Sequence, residues 1–289
     1  MRRESASGSG LGYMAQSAFW FAVMSTLVKL ASETLPTMQI VFLRGCITLL
    51  IAGLVLWRAG LKPLGTRPRL LLVRGLIGSC ALVCFYAAIV HMPLAEATVI
   101  HQTAPLFTAF LAALLLHERL QTRVLVSIGT CLIGVLMIAR PGTLFGAAET
   151  VFDWHYALIA LLGALLSALA YVTVRSLGQT ESPLVVVFYF PLMTVPLTAP
   201  FALPVWVWPD GTGWLVLLGI GVSTQLAQVA MTKGLAREAA GRATAIGYLQ
   251  VAFATLFGAL VFGVWPDAWS WSGMLLILLS LFVSTAARR

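Results

Sequence analysis

The chain has 289 residues, of which 60% are hydrophobic and only 10% charged, and its mean hydropathy is +0.95. Soluble domains carry about 25% charged residues, so a water-soluble globule is excluded, as is a disordered chain. The apolar runs are long and continuous and lack the roughly ten-residue alternation of a membrane β-barrel, and the net charge of +8 is distributed by topology, as shown below.

Residues 1–11 are polar and rich in Ser and Gly, and read as a cytosolic tail, not as a signal peptide. A membrane-spanning helix needs about 20 mainly apolar residues. Segments 12–31, 37–57, 69–91, 95–116, 123–139, 153–175, 183–203, 213–233, 241–263 and 270–286 meet that requirement. Pro36, Lys62-Pro63, Met92-Pro93, Arg140-Pro141-Gly142, Ser182-Pro183, Pro209-Asp210-Gly211 and Pro266-Asp267 punctuate them, as expected at helix boundaries. Ten spans put both termini on one side. With that side cytosolic, the cytosolic segments hold 14 of the 18 Lys and Arg residues, among them Arg58, Lys62, Arg119 and Arg123. Lys29 and Arg140 fall outside, while Arg44 and Arg74 fall within spans. The basic surplus therefore obeys the positive-inside rule and implies no nucleic-acid partner. The short tails are compatible with a bacterial inner membrane.

Displaced by 146 residues, the sequence matches itself. Ala97-Thr98-Val99-Ile100 falls on Ala243-Thr244-Ala245-Ile246, Phe107 on Phe253, Gly75 on Gly221 and Lys29 on Arg175. One offset aligns five spans with five, dividing the chain into a tail (1–11), a first repeat (12–140) and a second (153–286). Five is odd, so the second repeat enters the membrane from the opposite side. Inverted repeats around a midplane site are the architecture of many secondary transporters.

Polar residues at membrane depth nominate the site. Span 1 offers Trp20 and Met24, and span 3 Ser79 and Tyr86. Span 4 offers His101 and Gln102 before the helix-breaking Pro105, span 6 Tyr171, span 8 Gln225 and Gln228, and span 9 Tyr248 and Gln250. Gln225, Gln228 and Thr232 share one helical face, since residues three and four apart are neighbours. Arg44 reads as a structural ion pair with Glu33 or Glu96 or a bond to helix carbonyls, or else as a ligand for a substrate carboxylate. Arg74, one turn inside the cytosolic end of span 3, reads as a snorkelling anchor. His101 and Glu96 are candidates for carrying a coupling proton, against the simpler readings of a satisfied polar residue and a first-turn helix acid. Cys46, Cys80, Cys84 and Cys131 lie in apolar runs without metal-ligand spacing and read as small buried residues. Trp206, Trp208, Trp214, Trp265, Trp269 and Trp271 form an aromatic belt at the outer ends of spans 7–10.

Several segments together resemble the EamA-domain transporters of the drug/metabolite transporter superfamily. They are Phe42-Leu43-Arg44, Met92-Pro93-Leu94-Ala95-Glu96-Ala97-Thr98, Pro105-Leu106-Phe107-Thr108-Ala109 and His117-Glu118-Arg119-Leu120, the last in place of the family's Gly-Glu-Arg-Leu. The second half departs from the pattern at Val251, where the first has Pro105, and at Val264-Trp265-Pro266, where the first has Glu118-Arg119-Leu120. Within the superfamily, the bacterial aromatic amino-acid and metabolite exporters are the branch most like it. The resemblance implies an all-α membrane fold of ten helices, two inverted five-helix repeats around a central cavity bounded by spans 1, 3, 4, 6, 8 and 9.

The expected activity is secondary transport, in the export direction, of small organic metabolites by alternating access, amino acids including aromatic or neutral ones first among them. The alternatives are an uncoupled channel-like facilitator and a carrier of nucleotide-related or phosphorylated metabolites. No enzyme motif, metal site, cofactor or Walker A sequence is present, so no ATPase subunit is implied. Nothing fixes an oligomeric state, and a monomer is compatible with the sequence.

Overall fold

Helices account for every regular element in the computed structural model, which describes residues 10–91, 94–139, 154–263 and 265–286. The side chains at 89–90, 94–96, 154 and 281–286 also lie outside the described set, as do the 1–9 part of the tail, Met92-Pro93, Arg140 and Val264. Twelve α-helices are described: α1 Gly10–Ala31, α2 Thr37–Arg58, α3 Pro68–His91, α4 Leu94–His101, α5 Ala104–Leu116, α6 Thr122–Ala139, α7 Trp154–Leu177, α8 Pro183–Ala202, α9 Gly211–Arg237, α10 Ala240–Ile246, α11 Leu249–Phe262 and α12 Ala268–Ala286. Taken as one segment each, α4–α5 and α10–α11 make spans, and nine described segments are long and apolar enough to cross a membrane. The tenth, α12, has a shorter apolar stretch over Ala268–Ser280.

Local chemistry places the ends. Pro183 opens α8 and Pro105 sits in the first turn of α5, where no amide is needed. Asp210 caps α9 by accepting from the Gly213 amide at 2.6 Å, and Asp267 accepts from the Ser270 amide at 3.0 Å at the start of α12. α5 ends on His117 at φ 55°, and α11 ends on Gly263 at φ 68°. These two positions are 146 apart. The family's glycine is thus kept in the second repeat, and in the first a histidine occupies the left-handed conformation.

The 146-residue offset recurs in space. Adding it to the ends of α2, α3 and α6 reaches the starts or ends of α8, α9 and α12 within three residues. Contacts obey the same rule: α1 packs on α9 as α7 packs on α3, and α1 on α11 as α7 on α5. The pairs α2–α8 and α6–α12 are their own counterparts, so they sit on the pseudo-twofold axis. In α6–α12 the Ser280 hydroxyl donates to the Ser127 carbonyl at 3.1 Å. The equivalent contact is the close approach of Gly134 and Gly273, where an added Cβ would stand 2.7 Å and 2.6 Å from the partner's carbonyl oxygen. Small residues let helix backbones approach in the absence of a hydrophobic driving force.

The two ends of the bundle differ. One, the basic face, carries the α2–α3, α5–α6, α7–α8 and α9–α10 connections with Arg58, Lys62, Arg67, Arg119 and Arg123. The other carries Trp208, Trp265, Trp269 and Trp271, all exposed. Between them large aliphatic side chains such as Leu50, Leu114, Leu215 and Leu260 are exposed, as expected where lipid is the solvent.

Candidate substrate site

Both broken spans break at equivalent places. Between α4 and α5 the Leu106 amide bonds the Thr103 carbonyl at 3.0 Å, not the carbonyl of Gln102, which is left without its helical partner. Pro105 accounts for a break here. The second repeat has Val251 in place of that proline, yet α10 and α11 are separated at Gly247-Tyr248, with the Val251 amide on the Tyr248 carbonyl at 3.0 Å. The break therefore belongs to the repeat and does not depend on proline. The freed Gln102 carbonyl accepts from the Tyr248 hydroxyl at 2.7 Å. Tyr248 is fully buried. Gln102 and Tyr248 are equivalent positions, and equivalent positions can meet only beside the axis that relates the two repeats.

The other expected residues divide into separate groups. Met24 faces Arg44, whose Nη1 donates to the Met24 sulfur at 3.5 Å. Tyr86 lies within electrostatic range of the same guanidinium. Arg44 is buried, whereas Glu33 is exposed. Among the described residues the ion pairs do not join Arg44 to Glu33. The Glu96 side chain lies outside the described residues. The His101 ring stands 4.5 Å from that of Phe85, with Nε2 3.4 Å from the Ser167 hydroxyl. Ser79 is consumed in joining α3 to α8, its hydroxyl 2.8 Å from that of Thr194. Trp20 is half-buried beside Phe19, and Gln250 is half-buried on α11.

The expected stripe on α9 splits. Gln225 lines an open cleft of about 330 Å³ between α1, α2, α8 and α9, together with Tyr13, Gln16 and Lys233. Gln228 turns to α3, where its side-chain oxygen accepts from Arg74 Nη2 at 3.3 Å.

Arg74 is the residue that sequence reasoning placed wrongly. It is 2% exposed. A snorkelling side chain points back toward its own end of the helix. This one runs the other way: its Nη1 lies 3.2 Å from where a Cβ on Gly78 would be, one turn further from the basic face. The guanidinium sits over the Phe190 ring, 4.9 Å from the centroid, and within electrostatic range of Tyr171. Among the described residues its Nε and Nη1 have no hydrogen-bond partner. Counting six residues from Pro68 at 1.5 Å each and adding the turn to Gly78, the charge lies about 15 Å inside α3, near the midplane of a roughly 30 Å hydrocarbon layer. A charge at that depth costs about 2.5–3.5 kcal/mol on insertion scales. The missing signal was Gly78, which leaves the room that the side chain occupies.

At the basic face two acidic side chains join the repeats. Glu118 pairs with Arg175 Nε at 2.9 Å and accepts from the Ala240 amide at 2.9 Å. Arg175 Nη1 also donates to the carbonyls of Leu235 and Ala236 at 3.1 and 2.9 Å. Glu118 thus acts as the N-cap of α10, where Ala239 offers no side-chain acceptor. Glu181 accepts from the Thr66 amide and hydroxyl and from the Arg67 amide, at 2.7, 2.6 and 2.6 Å. Burial by itself raises its carboxyl; the Thr66 hydroxyl, the two amides and the Arg67 charge outweigh that and hold it below its ordinary value. On the opposite face the counterpart of Arg175 is Lys29, whose ammonium lies over the Phe262 ring at 4.4 Å.

A ten-span helical protein of two inverted repeats, with broken helices meeting at its axis, is built as a membrane transporter of small solutes. The comparisons with known proteins give it a family. Residues 8–140 and 154–286 match the EamA-like transporter family, and the chain belongs to that family, within the drug/metabolite transporter superfamily. It is 32% identical over 286 residues to the pseudopaline exporter CntI of Pseudomonas aeruginosa, covering 97% of each chain. It is 29% identical to human solute carrier family 35 member G1, covering 94% of this chain and 78% of that one. A solved crystal structure superposes with a TM-score of 0.80 over 94% of this chain and 95% of its own, at 21% identity, and so shares the fold. These relatives are transporters, and the chain is a transporter and not an enzyme.

Proposed function

We propose that this protein moves small organic metabolites across a bacterial inner membrane by alternating access, in the export direction. The observation that carries the mechanism is the Tyr248–Gln102 hydrogen bond. It joins the two broken spans at the pseudo-twofold axis, where exchange of conformation between the repeats opens a site to alternate sides. The basic face is the cytosolic one, by the positive-inside rule, and α1 begins and α12 ends there. Similarity to an exporter supports the direction.

Amino acids, aromatic or neutral ones included, are the first substrates to try. The candidate polar groups at membrane depth are amides, phenols and an imidazole, and Arg44 and Arg74 supply isolated positive charges. Such a lining suits a zwitterion better than a phosphate ester, which calls for several converging cations. Reconstituted protein preloaded with an unlabelled amino acid should accumulate the labelled one against its gradient by counterflow. A non-saturating leak would assign a channel-like facilitator, and counterflow confined to sugar phosphates would assign the other solute class.

A further inference from the structure

We propose that the Arg74 guanidinium, buried among α3, α7, α8 and α9, is the substrate's carboxylate ligand. The proposal rests on the transport reading above and names the anionic group that the transported solute must carry.

Four observations converge on it. Arg74 is only 2% exposed, yet among the described residues Nε and Nη1 lack a partner. Buried donors are almost always satisfied, and buried charges are paired, so a cation with idle donors near the midplane is incomplete as it stands. The chain points inward along α3 past Gly78, although the basic face is about two turns away in the other direction and would solvate it. The described ion pairs give it no carboxylate of the protein's own. The groups around it orient the charge without neutralising it: Gln228 accepts from Nη2 at 3.3 Å, and the Phe190 ring lies under the guanidinium. Tyr171, within range of the charge, adds a hydroxyl that can donate to a second ligand oxygen.

A planar carboxylate accepts from two nitrogens of one guanidinium at once, which is the geometry arginine favours. One cation balances one carboxylate. Arg44 sits on another level: Tyr86, within its electrostatic range, is eight residues further along α3 than Gly78, where the Arg74 charge lies, about 12 Å at 1.5 Å per residue. The two arginines therefore do not converge on a single phosphate. The second repeat has Ile220 at the position equivalent to Arg74, so the site is asymmetric.

The test uses the full-length protein in detergent and in proteoliposomes. The probes are L-phenylalanine, L-leucine and L-glutamate, the α-amides of the same three, and inorganic phosphate. Thermal protection of the wild type should need at least about 10-fold more amide than acid. Arg74→Gln should lose that preference and Arg74→Lys should keep part of it. Gly78→Ala, whose Cβ would press on Arg74 Nη1 and Phe190 at 3.2 Å, should weaken binding of the acids and leave the amides unchanged. If Arg74→Gln does not fold, Arg74→Lys and Gly78→Ala decide the matter. Equal protection by acid and amide, a preference that survives in Arg74→Gln, protection by phosphate alone, or protection by no probe would overturn the assignment. Acid-selective protection without counterflow would strike the transport reading and leave the site. Counterflow of acid and amide alike, persisting in Arg74→Gln, would do the reverse.

Discussion

Replacing Glu118 by Gln should loosen the junction of α5, α7, α9 and α10 at the basic face. The carboxylate serves two donors, Arg175 Nε and the Ala240 amide, both at 2.9 Å. A glutamine side chain has one acceptor oxygen, so one of the two is abandoned and the charge is lost. The gross Coulomb energy at 2.9 Å is about 6 kcal/mol at an effective dielectric of about 20. Most of it is offset by desolvation, since the two side chains are only 21% and 19% exposed. Arg175 keeps its two backbone carbonyls, so what remains is one hydrogen bond to a charged group, worth about 1.5–3 kcal/mol. Taking about 2 kcal/mol, local opening of the start of α10 becomes about 30-fold more frequent. Hydrogen exchange of peptides spanning residues 235–243 reads this directly, because exchange there follows the opening equilibrium. Glu33→Gln, an exposed change on the opposite face, is the control. Exchange in Glu118→Gln within threefold of the wild type, or an equal effect from Glu33→Gln, would refute the argument.

Four further outcomes follow from the same structure. Tyr248→Phe leaves the half-buried Gln102 carbonyl without its donor and should cost about 1–3 kcal/mol in thermal unfolding, together with slower counterflow. Glu181→Gln should destabilise the protein in a pH-dependent way. The folded carboxyl lies below the ordinary 4.5, so its contribution is complete above that value and is lost as the pH falls through the folded one. Melting curves of variant and wild type should therefore converge in acid, and a gap that persists there would refute the linkage. His117→Gly should raise stability by about 0.5–1 kcal/mol, since a left-handed L-residue costs about 1–2 kcal/mol and glycine gives back about 0.5–1 in chain entropy; Gly263→Ala should do the opposite. Gly134→Ala would place a Cβ 2.7 Å from the Gly273 carbonyl and from Ile277, and should lower the melting free energy by about 1–3 kcal/mol. The same change at exposed Gly129, which meets nothing within 4 Å, should be tolerated.

Hydropathy made the spans legible because a lipid environment demands continuous helices of fixed length. The boundaries shifted by no more than a few residues at most ends. α9 is the exception, running to Arg237 beyond the expected 233 because its last turn is held by Arg175 and not by lipid. The broken fourth span was legible from Pro105. Its counterpart at Gly247-Tyr248 carries no proline and was visible only through the 146-residue offset. Placement within a helix was harder to read. Gln225 and Gln228 are close neighbours in sequence and share a side of α9, yet one lines a cleft and the other meets Arg74. A helical wheel gives the angle of a side chain but not the neighbour that stands there. Arg74 was misread for a related reason. Distance from the helix end says that an arginine is able to reach water; it does not say that it turns that way. The small residue one turn deeper decides it.

The two repeats share their backbone and differ in the chemistry hung on it. Glu118, Arg74 and Arg44 correspond to Val264, Ile220 and Phe190. Two interchangeable folds with identical side chains would give two conformations of equal free energy, and no preferred resting state. Here one face is closed by an ion pair, a helix cap and the three donors on Glu181. Its counterpart has Lys29 over an aromatic ring, an interaction of about 0.5–1 kcal/mol at an exposed site, and the uncharged Gln39 amide paired with the Val207 backbone. A difference of even 1.4 kcal/mol between the two closures is a tenfold preference for one state. The departures of the second half from the first half's pattern therefore bear directly on mechanism. They leave the exchange geometry of the repeats intact, and they make its two ends unequal.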